Sequence, residues 1–257
     1  MISKETKRAV GELLAANFET EELKEYFLDM CEHIPDYIFT MPSSTTGKYH
    51  NATQCQRNGQ LYHVFMFASI LEHRLALKHN KEIFYTPELR DALRCVPFFH
   101  DALKCGDGKT SFSVFEHPVL AAEWVKTTKV KHDISDVLKT MIADMCAAHS
   151  GEWTTSKRSK VVLPEPKNET EFFIHECDVL ASRSDLDWII SEELKTLLND
   201  TGLAEVELPD INTYKLTFGK HAGLTIPEIA QLDPNYFSWM KENINKEPVK
   251  SLLKSFS

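Results

Sequence analysis

Four histidines and two aspartates between residues 63 and 178 are of the types that bind divalent metal ions. At their centre is the pair His100-Asp101, a dipeptide that is common by chance and weak by itself. The pair gains weight because each of the other residues falls in or beside a segment with helical periodicity, and a helical bundle can bring one ligand from each of several helices. Imidazole and carboxylate groups suit Mn²⁺, Fe²⁺, Zn²⁺ or Mg²⁺ rather than a thiolate-preferring metal. The series is His63, His100, Asp101, His117, His149 and Asp178.

This ordered series resembles that of the HD-domain superfamily of metal-dependent phosphohydrolases, over residues 40–185. The resemblance implies that Asp101 is a carboxylate that bridges two metal ions. His117 and His149 match an additional pair found in binuclear members, so the likeness favours two ions over one. The implied ligands of the first ion are His63, His100, Asp101 and Asp178.

Some of these residues also have a simpler interpretation. His117 precedes Pro118, so it could begin a helix and contact only solvent. His149 falls at the C-terminal end of a predicted helix, where a positive charge is favourable without any metal. His175 stands three residues before Asp178, and we interpret it as a supporting or surface residue rather than a ligand.

Lys104 follows Asp101 by three residues, which in a helix places both side chains on one face. Its ammonium group there can neutralise a phosphate oxygen, and the alternative is an ordinary exposed lysine. By resemblance, binuclear HD enzymes often carry a lysine here, whereas mononucleotidase members carry a glutamate, so this chain departs from the latter group. The predicted catalytic residues are Asp101, Lys104, His117 and His149.

The segment from Ser43 to His50 is rich in hydroxyl groups, which can donate to phosphate or sugar oxygens. Its end resembles a Gly-Lys-Tyr-His stretch that precedes the first histidine in a subset of phage and bacterial HD proteins, and Tyr49 could stack on a base. A simple connector is the alternative. Trp153 is a candidate for the rim of a pocket or for plain packing. The predicted substrate contacts are Lys48, Tyr49, His50, Lys104, Trp153 and Arg183.

The C-terminal end has its own signature. The stretch from Leu216 to Gly223, followed by Asp233-Pro-Asn-Tyr-Phe-Ser-Trp239, resembles a small module that is attached to some exonucleases and occurs in phage proteins. We expect either a packing appendage or a contact with a nucleotide, a nucleic-acid strand or a protein. Lys220 and His221 are the candidate contacts.

The elements that must position these residues are almost all helices, because apolar residues recur at every third or fourth position. Pro87 and Pro118 stand where proline favours the start of a helix. Residues 214–218 alternate like a short strand and precede a turn at 219–223. Helices are predicted at about 10–18, 21–34, 60–79, 87–103, 117–127, 134–149, 169–183, 226–232 and 234–242, with a polar loop at 41–50 and an acidic, turn-rich linker at 199–210.

The predicted fold is mainly α, an HD-domain helical bundle with a small α+β appendage. We divide the chain into an HD body at 1–185, a helix and acidic linker at 186–212, and the module at 213–257. The 257 residues are 42% hydrophobic and 26% charged, which excludes a disordered or collagen-like chain. The net charge of −9 disfavours a broad surface for duplex nucleic acid.

Six cysteines without a Cys-x-x-Cys pair predict free thiols in a reducing cytoplasm. We see no signal peptide or membrane-spanning stretch, so we expect a cytoplasmic protein, in the host cytoplasm if phage-encoded. The chain has neither a Gly-x-Ser-x-Gly elbow nor a Gly-x-x-x-x-Gly-Lys-Ser/Thr loop. A serine nucleophile and ATP-driven work are therefore not indicated.

Together these features resemble a phage-type HD deoxynucleoside 5′-monophosphatase. We expect a metal-dependent phosphohydrolase that acts on a small nucleotide, foremost a 5′-(deoxy)nucleoside monophosphate, with two divalent ions as cofactors. The alternatives within this class are hydrolysis of nucleoside triphosphates, dinucleoside polyphosphates or cyclic nucleotides. The alternative from another class is a binding protein with a degenerate HD site.

Overall fold

A computed structural model describes residues 1–44, 50–106, 108, 110, 112–183, 196, 209–244 and 248–256. These residues are mainly helical, which confirms the mainly α class expected from the sequence. Among the described helices, none combines the length and the apolar character needed to cross a lipid bilayer.

The helices follow one another along the chain with short connections. They are α1 (Lys4–Leu14), α2 (Glu21–Cys31), α3 (Gly59–Leu75), α4 (Lys78–Ile83), α5 (Pro87–Phe99), α6 (His117–Thr127), α7 (Asp136–Ala148), α8 (Glu169–Ser182), α9 (Ile226–Leu232), α10 (Pro234–Asn243) and α11 (Val249–Ser255). Short 3₁₀ turns occupy Ala15–Asn17, Asp36–Phe39 and Ala52–Cys55.

Side-chain caps determine where several of these helices begin. The Thr86 hydroxyl accepts from the Leu89 amide ahead of α5, and Ser135 accepts from Leu138 ahead of α7. Asn168 accepts from two amides at the start of α8. Each cap satisfies N–H groups that have no partner within the helix, so the first residue of the helix is defined by local chemistry.

Several predicted elements differ in the structure. The helix predicted at about 10–18 is α1, which begins at Lys4 and ends at Leu14 before a 3₁₀ turn. The helix predicted at 60–79 is divided, because Leu77 is extended and separates α3 from α4. The helix predicted to reach about residue 103 ends at Phe99, after Pro97 has removed one helical N–H group. Among the described residues, the strand predicted at 214–218 is reduced to one antiparallel bridge between Lys215 and Thr225, and the α+β appendage stays a prediction.

The buried apolar residues of the described chain form two separate clusters. The larger cluster draws on the helices from α1 to α8 and is rich in aromatic rings, such as Phe27 stacked on Phe99 at 5.4 Å. The smaller cluster lies between Leu216 and Leu253. The domain boundaries at 185 and 213 stay predictions, because 184–195 and 197–208, with most of the predicted linker, lie outside the described residues.

Candidate metal centre

All six predicted metal ligands converge in one cluster. Their imidazole nitrogens and carboxylate oxygens form three overlapping groups, and within each group the ligand atoms lie within 4.8 Å of one another. Such groups could hold a divalent metal ion, and their mixed N and O donors leave its identity open. The groups are His63, His100 and Asp101; His100, His149 and Asp178; and Asp101, His117 and His149.

Helix ends bring most of these residues together. His100 and Asp101 directly follow α5, His117 is the first residue of α6, and His149 directly follows α7. His63 and Asp178 instead lie within α3 and α8, which pack against each other. The position of a residue just after a helix depends on where that helix begins. The caps at the start of α5 and α7 therefore also help to position His100, Asp101 and His149.

The Asp101 carboxylate is shared between two sides of the cluster. Its Oδ2 atom lies 3.3 Å from Nε2 of His100, and its Oδ1 atom lies 3.0 Å from Nε2 of His117 and 4.0 Å from Nε2 of His149. The two oxygens therefore face different histidines. A carboxylate that bridges two cations has to present its oxygens in this way.

Backbone carbonyls orient three of the histidines. The Nδ1 atoms of His100, His117 and His149 lie 3.0, 2.7 and 2.7 Å from the carbonyl oxygens of Pro97, Val114 and Cys146. These contacts assign the ring proton to Nδ1, which then donates to the carbonyl, and they leave the Nε2 lone pair directed into the cluster. Metal-binding histidines commonly donate their second ring nitrogen to a carbonyl in this way.

Several buried atoms of the cluster have no hydrogen-bond partner among the described residues. They include Oδ1 of Asp101 and Oδ1 of Asp178, although these atoms lie 3.0 Å from Nε2 of His117 and 2.9 Å from Nε2 of His63, respectively. Buried acceptors without a donor are costly, since the water that they lose is not replaced. A cation among these lone pairs would remove that cost, so the residues present fit a metal ion.

The electrostatics of the cluster favour the protonation state that a ligand needs at some of its residues but not at His100. Burial alone would lower the pKa of His100, but the charges of Asp101 and Asp178 together outweigh it and raise that pKa. Burial lowers the pKa of His149 to about 3 and also lowers the pKa of His63. Burial alone would raise the pKa of Asp101, but the charge of Lys104, together with the contacts of His100 and His117, outweighs it and keeps that pKa well below the usual range. At neutral pH His149 is therefore neutral and Asp101 is charged.

Lys104 and Gln60 support Asp101 from the other side. Lys104 is buried, and its Nζ atom donates to Asp101 Oδ2 at 2.5 Å and to Gln60 Oε1 at 3.0 Å. Gln60 Nε2 donates to the same Asp101 oxygen at 2.9 Å. The alternative that Lys104 is an ordinary exposed lysine is thus wrong. Asp101 and Lys104 are joined by a turn rather than by a helix, and in this turn the Lys104 amide donates to the Asp101 carbonyl.

Our reading of the sequence missed Gln60. It precedes His63 by three residues on α3, so both share one face of that helix. That spacing was the available signal. A glutamine is also a common exposed helix residue, and only its complete burial sets this one apart.

Comparison with known proteins concerns the C-terminal end. A family model described as Exodeoxyribonuclease X-like C-terminal matches residues 216–245. This agrees with the predicted likeness to a module attached to exonucleases, but it covers too little of the chain to assign the whole protein to a family. Searches of curated proteins and of solved structures found no match, so the HD likeness stays a hypothesis.

The predicted substrate contacts lie at different distances from the cluster. The His50 ring packs edge-on against His63 with centroids 5.5 Å apart, and burial lowers the pKa of His50 to about 4. Trp153 is exposed and its ring contacts His175. The Nδ1 atom of His175 lies 2.8 Å from the His149 carbonyl, a contact consistent with a supporting role for His175. Arg183 is exposed at the end of α8, while Lys48 and Tyr49 lie outside the described residues.

A fourth group of ligand-type side chains comprises Glu25, Asp29 and His132. Here the Arg8 guanidinium lies 2.8 Å from Glu25 and 3.2 Å from Asp29. The His132 amide donates to Asp29 at 2.8 Å. We name these four residues the Arg8 cluster; its carboxylates already have a cation and donors, so it is an ion-pair network.

Proposed function

We propose that this protein is an HD-type, metal-dependent phosphohydrolase that removes phosphate from nucleotides, foremost 5′-(deoxy)nucleoside monophosphates. The observation that carries the proposal is the convergence of the six ligand side chains, with Asp101 presenting one oxygen to each side. The donor set suits two divalent ions that share Asp101, with His63, His100 and Asp178 on one side and His117 and His149 on the other.

Two divalent ions so held would generate a nucleophile from water at neutral pH and neutralise the oxygens of a phosphoryl group. The protein's own part is to hold the ligands in place and to keep His149 neutral and Asp101 charged. Carbonyl contacts orient His100, His117 and His149, and Lys104 with Gln60 orients Asp101. Preorganised groups of this kind stabilise developing charge without reorganisation during the reaction.

The low pKa of His149 bears on its predicted catalytic role. A group with a pKa of about 3 holds almost no proton at neutral pH. His149 is therefore better suited to be a ligand than to protonate the leaving group. His117 and Asp178 have the most exposed side chains of the six ligands, at 17% and 15%, so we expect the substrate to approach from their side.

Two features support a nucleotide as the substrate. The residues that flank Lys48 and Tyr49 lie beside the cluster, since Ser43 Oγ is 3.5 Å from Lys104 Nζ and His50 packs on His63. The described residues Ser43 and His50 therefore lie next to the proposed position of the substrate. The second feature is the C-terminal match to a model named for an exodeoxyribonuclease.

The test is a screen of the purified protein against mono-, di-, tri- and cyclic nucleotides in ribo and deoxy forms. Each is assayed with Mn²⁺, Fe²⁺, Mg²⁺ or Zn²⁺ and after treatment with a chelator. We expect metal-dependent release of inorganic phosphate, fastest from a 5′-monophosphate. A folded protein that retains no metal and hydrolyses none of these compounds would instead support the binding-protein alternative.

A further inference from the structure

The C-terminal module presents an aromatic stack to solvent. Tyr236 and Trp239 lie one turn apart on α10, with ring centroids 5.4 Å apart and planes inclined by 26°. Trp239 is 49% exposed. A large ring that is supported by a second ring and open to water provides a surface on which another planar group can stack.

The residues before α10 hold this stack in place. Gly219 has a φ of +82°, and a Cβ atom there would lie 2.6 Å from the Tyr236 hydroxyl, so the loop approaches the ring as closely as glycine permits. The His221 ring packs edge-on against Tyr236 at 5.0 Å. Asp233 caps α10 by accepting from the Tyr236 amide. These three contacts fix the position of the Tyr236 ring that supports Trp239.

A positive charge lies beside the rings. The Lys220 ammonium is 5.9 Å from the centroid of Tyr236, and its side chain is 64% exposed. Asp233 Oδ2 accepts from Lys220 at 2.7 Å and lies 3.0 Å from Nε2 of His221. His221 is largely enclosed in these contacts, so Lys220 rather than His221 is available to an incoming group.

The charge of the module differs from that of the rest of the chain. Residues 213–257 contain six lysines and four acidic residues, a net charge of +2, whereas the whole chain carries −9. The remaining residues therefore carry −11. A positive module on a negative protein favours an anionic partner, and a charge asymmetry of this kind is typical of nucleic-acid contacts.

We propose that the module binds single-stranded nucleic acid, with one unpaired base stacked on Trp239 and a neighbouring phosphate at Lys220. A base within a duplex has both faces covered, so only an unpaired base can stack on the exposed ring. A small positive excess also suits one strand better than the dense charge of a duplex. This inference does not rest on the proposed phosphohydrolase activity, because none of its residues belongs to the metal centre.

The test measures fluorescence anisotropy of a labelled oligothymidine with the full-length protein at several salt concentrations. We expect binding that weakens as salt rises, and a labelled duplex should bind much more weakly. Trp239→Ala should weaken binding about tenfold or more, because each stacked base contributes substantially to affinity. Trp239→Phe should restore part of it.

Lys220→Ala tests the phosphate contact, and circular dichroism checks that the variant stays folded without the ion pair to Asp233. The slope of log affinity against log salt should become shallower by about 0.7, the value for one phosphate contact on a single strand. Tyr85→Ala and Lys78→Ala are matched controls, since both residues are exposed and lie outside the module, and they should bind as the wild type does.

Three results would overturn the proposal. The first is absence of binding to the single strand at low salt. The second is equal affinity of the wild type and a folded Trp239→Ala variant. The third is equal affinity for the duplex and the single strand. Binding at the metal centre alone is recognised by the second result, because Trp239→Ala would leave it unchanged.

Discussion

The metal centre and the Arg8 cluster contain the same kinds of side chain but differ in how those side chains are satisfied. In the Arg8 cluster, Glu25 and Asp29 accept hydrogen bonds from a guanidinium, and Asp29 also accepts from a backbone amide. In the candidate metal centre, one oxygen of Asp101 and one of Asp178 are buried beside histidine ring nitrogens and accept no hydrogen bond among the described residues. Residue type alone therefore does not distinguish the two groups; the unsatisfied, converging lone pairs are what make the first one a candidate metal site.

The strongest test of this difference between the two clusters is to remove the Asp101 carboxylate, which we propose is shared by two ions. Asp101→Ala should lower turnover to less than about one thousandth of the wild-type value, because both proposed ions lose a ligand and a negative charge. Metal content, measured by elemental analysis after dialysis, should fall at both positions while circular dichroism stays helical. Asp29→Ala is the matched control and should keep its metal. Near wild-type turnover in Asp101→Ala would refute the phosphohydrolase site.

The next test separates the two proposed ions. His117→Ala and His149→Ala should each reduce the metal stoichiometry from two towards one, because both residues belong to the same group with Asp101. His132→Ala, in the Arg8 cluster, should leave the stoichiometry unchanged. Two ions retained in both variants would show that other residues are the ligands of the second ion.

A smaller effect is expected from the residues behind Asp101. Lys104→Ala should lower kcat/KM roughly ten- to a hundredfold, since a charge-assisted hydrogen bond is lost. If Lys104 contacts the substrate phosphate, metal affinity should stay unchanged. If it only positions Asp101, metal affinity should fall by a similar factor, as it should in Gln60→Leu. Wild-type behaviour of both variants would show that these hydrogen bonds have no functional role.

The smallest effect concerns the Arg8 cluster itself. Backbone and side-chain contacts of His132, together with Arg8, lower the pKa of Asp29 against the opposing effect of burial. A depressed carboxylate pKa stabilises the fold above the unfolded value of about 4 and loses this effect as the pH falls through the folded value. Arg8→Gln should therefore cost up to about 1 kcal/mol of unfolding free energy at pH 7 and less at pH 3. Denaturant unfolding at both pH values measures this, and an equal cost at both would exclude the ion pairs as its source.

Helix periodicity and the positions of Pro87 and Pro118 were sufficient to predict much of the fold. Because each depends on neighbouring residues, the sequence predicted α6 at its observed bounds and α8 to within one residue. The breaks at Leu77 and after Phe99 were missed, since both segments keep an apolar pattern that could continue a helix. The alternation at 214–218 was read as a strand, but a strand also needs a partner, and only one bridge forms in the described residues.

For the candidate site, the sequence by itself determined the residue types, their order and their helical context, because these are local properties. Tertiary structure decided what no local pattern contains. It places six residues from distant positions in one cluster, and it buries Lys104 and Gln60 beside Asp101. It also brings Arg8 to the carboxylates of Glu25 and Asp29. Each of these depends on how helices pack across the chain. Burial and the identity of the neighbouring charge then set the pKa of each group, and with it the chemistry that the group can perform.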